Sequence, residues 1–160
     1  MKPLLQTVVV AVSGSEASIN AAKYGVAMAR QYHCRLAAVY VVDTATLKEL
    51  LLSRIFVEDE SSEYESSLEE NGKRYLNYIG ELAEKKGVSV QKVLRKGAVA
   101  SELIQVAEEN DADVILLGGF ESPGSPRDAL SRQHREILRY AKCSVLVVKK
   151  PDVDLVYRRL

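Results

Sequence analysis

The stretch TVVVAVSGSEAS, Thr7 to Ser18, runs from a β-branched segment through a turn rich in hydroxyls into a helical pattern. Thr7 to Val12 shows no polar alternation, the mark of a strand buried on both faces. Ser13 to Glu16 reads Ser-x-x-Glu, the spacing of a capping box, so the sequence predicts a helix with Ser13 as its cap. That helix extends to about His33, with Ile19, Ala22, Val26 and Ala29 along one apolar face.

The same alternation continues downstream. RLAAVYVV (Arg35 to Val42) is a second strand closed by Asp43, and VSVQKVLRKG (Val88 to Gly97) a third, with the mixed polarity of a strand near a sheet edge. DVILLGG (Asp113 to Gly119) and SVLVVKK (Ser144 to Lys150) are further strands. Helices are predicted before Gly87, with Leu68, Tyr75, Leu76, Ile79, Leu82 and Ala83 on one face, over Ala98 to Asn110, and over Ser131 to Ala141. Residues 44–70 form a variable insert and 151–160 a tail. Strands that alternate with crossover helices predict one α/β domain over residues 1–160. Its core is a doubly wound, parallel, five-stranded, Rossmann-like sheet with helices on both faces. Ligands of such sheets bind at the carboxyl ends of the strands, so the informative positions are Ser13, Val41 to Asp43, Gly97 and Gly118 onward.

Composition narrows the function classes. The 160 residues carry 22 Lys+Arg and 22 Asp+Glu, which removes the basic surplus that nucleic-acid binding requires. No apolar run reaches the length of a membrane span. The apolar N-terminus is interrupted at Gln6 and Thr7 and lacks a small-x-small cleavage pattern, so it reads as a strand of a cytoplasmic protein and not as a signal peptide. Cys34 and Cys143 form no CxxC and read as small buried apolar groups, while His33 and His134 stand at no metal-ligand spacing with them. Neither a nucleophile with an evident base nor a carboxylate pair suited to acid–base work stands out, so the residues point to no catalytic mechanism.

The SGSEAS turn admits three readings. It is a plain helix cap; or a fragment of the Ser-Gly-Gly-x-Asp-Ser motif of adenylating ATP pyrophosphatases, which Ser15 and Ala17 break; or part of a longer pattern. The longer pattern includes GAVASELIQVAEENDADVILLGG, Gly97 to Gly119, and CSVLVV, Cys143 to Val148. Taken together these segments resemble the universal stress protein family over nearly the whole chain. The resemblance implies an adenine-nucleotide-hydrolase-like fold and a regulatory or protective role. It also implies a homodimer paired through the last strand, Ser144 to Val148, with the tail extending the contact to the second subunit.

The resemblance further implies a nucleotide pocket formed by Val12, Ser13, Gly14, Val41, Gly118, Gly119, Ser131 and Arg132. ATP-binding members carry Gly-x-x-Gly, nine residues, then Gly-Ser/Thr. Here Gly118 begins that pattern, Glu121 stands at its fourth position, and Ser131 and Arg132 stand at the closing pair. Ser13 also occupies the position where aspartate is usual. Glu121 sets a carboxylate against a triphosphate, which favours a smaller ligand such as AMP or a cyclic nucleotide over ATP. Two functions stay open: a nucleotide-responsive signalling module, and a nucleotide-independent interaction protein with an unknown protein partner and a vestigial pocket. Outside that set, Asp43 is read as a ribose contact or a cap, and Tyr64, Tyr75 and Tyr78 as packing residues. His134 is read as a partly exposed surface histidine, and the acidic run Glu58 to Glu70 as a solvated helix face. The loop ESPGSPRD, Glu121 to Asp128, turns sharply at its prolines.

Overall fold

The computed structural model describes residues 2–119 and 127–160, with side chains described for 2–119 and 132–160. Its elements in chain order are β1 (Thr7–Val12), α1 (Glu16–Tyr32), β2 (Arg35–Asp43), α2 (Thr44–Leu52), α3 (Glu58–Glu84), β3 (Val90–Gly97), α4 (Val99–Glu109), β4 (Val114–Gly118), α5 (Arg127–Tyr140), β5 (Ser144–Val148) and α6 (Val153–Arg158). All five strands are parallel, in the order β3-β2-β1-β4-β5. The doubly wound sheet predicted from the periodicities is therefore the observed one.

The pleat of β1 shows why its sequence has no polar position. Val8, Val10 and Val12 face a core shared with α1, α3 and α6, while Val9 faces a second core shared with α4 and α5. Five of the six β1 residues are buried and Ala11 is half-buried; burying one valine in full is worth about 1.5–3 kcal/mol. The chain leaves β1 leftward to β2 and β3 and returns rightward to β4 and β5. The switch in strand order therefore falls between β1 and β4.

Asp113, just before β4, fixes the opposite end of that central pair. One of its carboxylate oxygens accepts the amides of Gln6 at 2.7 Å and Thr7 at 2.9 Å, and its own amide donates to the Thr7 carbonyl at 2.9 Å. These backbone donors hold the Asp113 carboxyl below the usual carboxylate range.

The insert is helical: α2 occupies its first part, and the acidic run, read from the sequence as a solvated helix face, forms the first half of the 27-residue α3. That helix begins in solvent with Glu58, Asp59 and Glu60, which suit the positive end of its dipole. The tail also folds back on its own chain. Val153 and Tyr157 are buried, the Tyr157 hydroxyl donates to the Leu82 carbonyl at 2.7 Å, and Lys23 pairs with Asp154 at 2.8 Å. Cys34 and Cys143 are free and half-buried, and burial pushes both thiols up.

Candidate functional site at the carboxyl ends of β1, β2 and β4

Val12 is the last buried residue of β1, and the exposed Ser13 follows it. The chain then turns through Gly14 at φ 82°, a left-handed conformation that a side chain rarely adopts. Helical geometry begins only after this turn, so the cap is Ser15 and not Ser13. Ser15 is extended, and its hydroxyl accepts the Ser18 amide at 3.1 Å. Ser13 is instead part of a hydroxyl cluster. Its side chain lies 3.0 Å from the Ser15 hydroxyl, and its amide donates to Ser18 Oγ at 3.1 Å. Ser18 Oγ in turn donates to the Ser15 carbonyl at 3.0 Å. The capping-box spacing at Ser13 is overridden because Gly14 has to complete the reversal first.

Across the switch point, Gly118 ends β4 against this helix start. A Cβ on Gly118 would lie 2.7 Å from the carbonyl carbon of Ala17 and 2.9 Å from the Ser18 nitrogen, closer than real side chains approach backbone. The missing side chain is what lets the strand end touch the first turn of α1. Gly119 is similarly tight, its Cβ direction blocked at 2.8 Å by the Val148 carbonyl of the neighbouring strand. The β1–β4 register pairs Val10 with Leu116, two residues before Val12 and Gly118 in their strands.

The structure thus brings Val12, Ser13, Gly14, Gly118 and Gly119 together around the β1–β4 switch point. Val41 lies one strand away, half-buried on the α4 side of β2 and beside Arg95 in register. Arg132 is exposed on α5. The Ser131 side chain lies outside the described residues, as do Glu121 and the proline-containing loop.

Three further residues shape the site. Asp43 is committed as the cap of α2, accepting the Thr46 amide at 3.0 Å and the Thr46 hydroxyl at 2.7 Å. Tyr75 of α3 covers the other side of the turn, its ring lying 2.6 Å from where a Cβ on Gly14 would stand. It stacks at 6.4 Å on Tyr40, whose phenol is pushed up by burial and by the neighbouring Tyr75 and Tyr64. His134 is partly exposed as expected, and its Nε2 lies 3.0 Å from the Gly118 carbonyl. A carbonyl only accepts, so Nε2 donates and α5 is tied to the end of β4. No local sequence signal reveals a bond to a backbone group 16 residues away.

Among the described residues no three His, Cys, Asp or Glu side chains gather as a metal site, and no helix is long and apolar enough to cross a membrane.

A family model described as the universal stress protein family matches residues 5–149. The chain belongs to the universal stress protein family. Among its curated relatives, universal stress protein MJ0531 of Methanocaldococcus jannaschii is 30% identical over 151 residues, covering 94% of this chain and 86% of the relative. A universal stress protein of Burkholderia pseudomallei has a similar structure, with a TM-score of 0.72, 24% identity and coverage of 94% and 100% of the two chains. Two other members of similar fold were solved with nucleotides. One is a universal stress protein in complex with cAMP (TM-score 0.62, 20% identity, 90% and 96% coverage). The other is from Archaeoglobus fulgidus in complex with dAMP (TM-score 0.61, 18% identity, 92% and 100% coverage).

Proposed function

We propose that this chain is a cytoplasmic, nucleotide-responsive regulatory module of the stress response, which takes an adenine monophosphate such as AMP or cyclic AMP at the carboxyl ends of β1, β2 and β4. The observation that carries this reading is the contact of Gly118 with the backbone of Ala17 and Ser18. It brings the N-terminal end of a 17-residue helix, with its positive dipole end, to the switch point of the sheet. The backbone of Val41 supplies the edge for the base. The complexes of relatives with cAMP and dAMP support a monophosphate. Glu121, where ATP-binding members carry glycine, weighs against a triphosphate.

A second reading, a nucleotide-independent interaction protein, is favoured by one observation. The Ser15 hydroxyl accepts the Ser18 amide, and the Ser18 hydroxyl accepts the Ser13 amide and donates to the Ser15 carbonyl, so these groups have partners within the turn. In either reading two copies pair antiparallel through β5. That strand is a sheet edge, and its Val145, Leu146 and Val147 are only partly covered.

Equilibrium dialysis of the purified protein against labelled AMP, cyclic AMP and ATP tests the proposal. Saturable AMP or cyclic AMP binding that Gly118→Val abolishes, while circular dichroism shows the variant still folded, supports the strand-end site. Retention of none of the three leaves the interaction protein as the reading.

A further inference from the structure

The corner between α2 and α3 exposes apolar surface that the fold does not use. Leu52 is 77% exposed, Ile55 64%, Val57 61% and Tyr64 49%, four large apolar side chains within thirteen residues of sequence. Scattered exposed leucines need no explanation, but four large apolar side chains exposed at one corner and so near in sequence point to an interaction surface. The corner is also ordered by its own hydrogen bonds. Arg54 takes a left-handed conformation at φ 58°, and the amides of Ile55 and Phe56 both return to the Leu50 carbonyl, at 3.0 and 3.4 Å. Half-buried Phe56 meets the Tyr64 ring edge-on at 5.8 Å and forms the floor of the patch.

Charge identifies what fits there. Glu58, Asp59, Glu60 and Glu63 border the apolar residues and are all exposed. From Thr44 to Glu65 the chain has six acids against two cations, Lys48 and Arg54, although the whole protein is neutral. An acidic rim repels anionic lipid surfaces and nucleic acid, and it attracts a basic protein surface. Exposed apolar side chains with acidic residues beside them suit the apolar face of a basic amphipathic helix, whose anchors repeat at i, i+3, i+4 and i+7.

We propose that the α2–α3 corner docks a basic amphipathic helix of another protein, with apolar anchors on Leu52, Ile55 and Val57 and lysines or arginines against Glu58 to Glu63. A second copy of this chain is the poorer occupant. Its α5 has suitable chemistry, with exposed Arg132, Arg139, Leu138 and Tyr140. Ile137 of α5, however, packs on the opposite sheet face from α3, so a self-contact through these two helices runs head to tail and propagates instead of closing as a pair.

The test uses the full chain and a fluorescent synthetic helix with leucine on one face and lysine on the other. Two control peptides accompany it, one with glutamate replacing lysine and one of the same composition with its leucines spread around the helix. The Lys/Leu helix is expected to bind, more weakly at high salt, and the two controls are not. Ile55→Asp or Val57→Asp should weaken binding about tenfold or more, as loss of a central apolar anchor does. Glu58→Lys with Glu60→Lys should weaken it and flatten the salt dependence. Because Ile55 and Val57 are exposed, both variants should keep the wild-type melting midpoint, and Val57→Ser replaces either one that does not. Equal binding by the wild type and the apolar-patch variants overturns the proposal, and so does equal binding of the spread-leucine peptide. Sedimentation showing that the protein alone assembles, and that Ile55→Asp disperses it, overturns it in favour of a second copy.

Discussion

His134 Nε2 on α5 donates to the carbonyl of Gly118 at the end of β4, at 3.0 Å. The bond joins the last crossover helix to the strand end that touches α1, so α5 and the β1–α1 turn are positioned by one peptide unit. His134→Ala should lower stability by about 1 kcal/mol, the net worth of one hydrogen bond. It should also weaken nucleotide binding, because α5 loses its tie to the site. Denaturant melts and AMP titrations of the variant check both.

Gly118→Ala should be costly despite the small change. The added methyl meets backbone atoms of Ala17 and Ser18 at 2.7–2.9 Å, and backbone cannot rotate out of the way. Overpacking of this kind costs about 1–3 kcal/mol. A chemical melt equal to the wild type would show that β4 and α1 separate freely.

Asp113 makes stability depend on pH in a definite sense. Its folded carboxyl is held below its ordinary value by the amides of Gln6 and Thr7. The contribution is therefore complete above the ordinary carboxylate range and is lost as pH falls through it toward the lowered folded value. Asp113→Ala should destabilise by about 1–2 kcal/mol at neutral pH, since hydrogen bonds to a charged group are lost. The gap to the wild type should narrow in melts at acid pH; a gap that widens there contradicts the assignment.

Thr7 is 3% exposed, and its buried hydroxyl finds no hydrogen-bond partner among the described residues. Thr7→Val keeps the shape and removes the unsatisfied group, so it should raise stability by about 1 kcal/mol. Comparison of thermal midpoints decides it.

The sheet was legible because β1, β2 and β4 are buried on both faces and carry unbroken apolar runs, and because crossover helices dictate parallel pairing. The strand ends were legible for the same reason, with Ser13 following β1 and Gly118 closing β4. What escaped depends on three-dimensional contacts. Ser15 displaces Ser13 as the cap because Gly14 turns at positive φ, which the Ser-x-x-Glu spacing does not encode. The Gly118 bond to His134 and the Tyr75 cover over Gly14 join residues 16 and 61 positions apart in the chain. The acidic start of α3 was legible as a solvated helix face, although its first turns carry no apolar period. The packing of the tail escaped because nothing in PDVDLVYRRL shows that Val153 and Tyr157 are buried against α1 and α3.

The most direct measurement is the thermal midpoint of the purified protein with and without AMP, cyclic AMP and ATP, since a ligand that binds only the folded state raises it. The account predicts a concentration-dependent rise with AMP or cyclic AMP, smaller with ATP, and lost in Gly118→Val. No rise with any of the three, at concentrations far above those of cellular nucleotides, would contradict it and leave the strand-end site without a ligand.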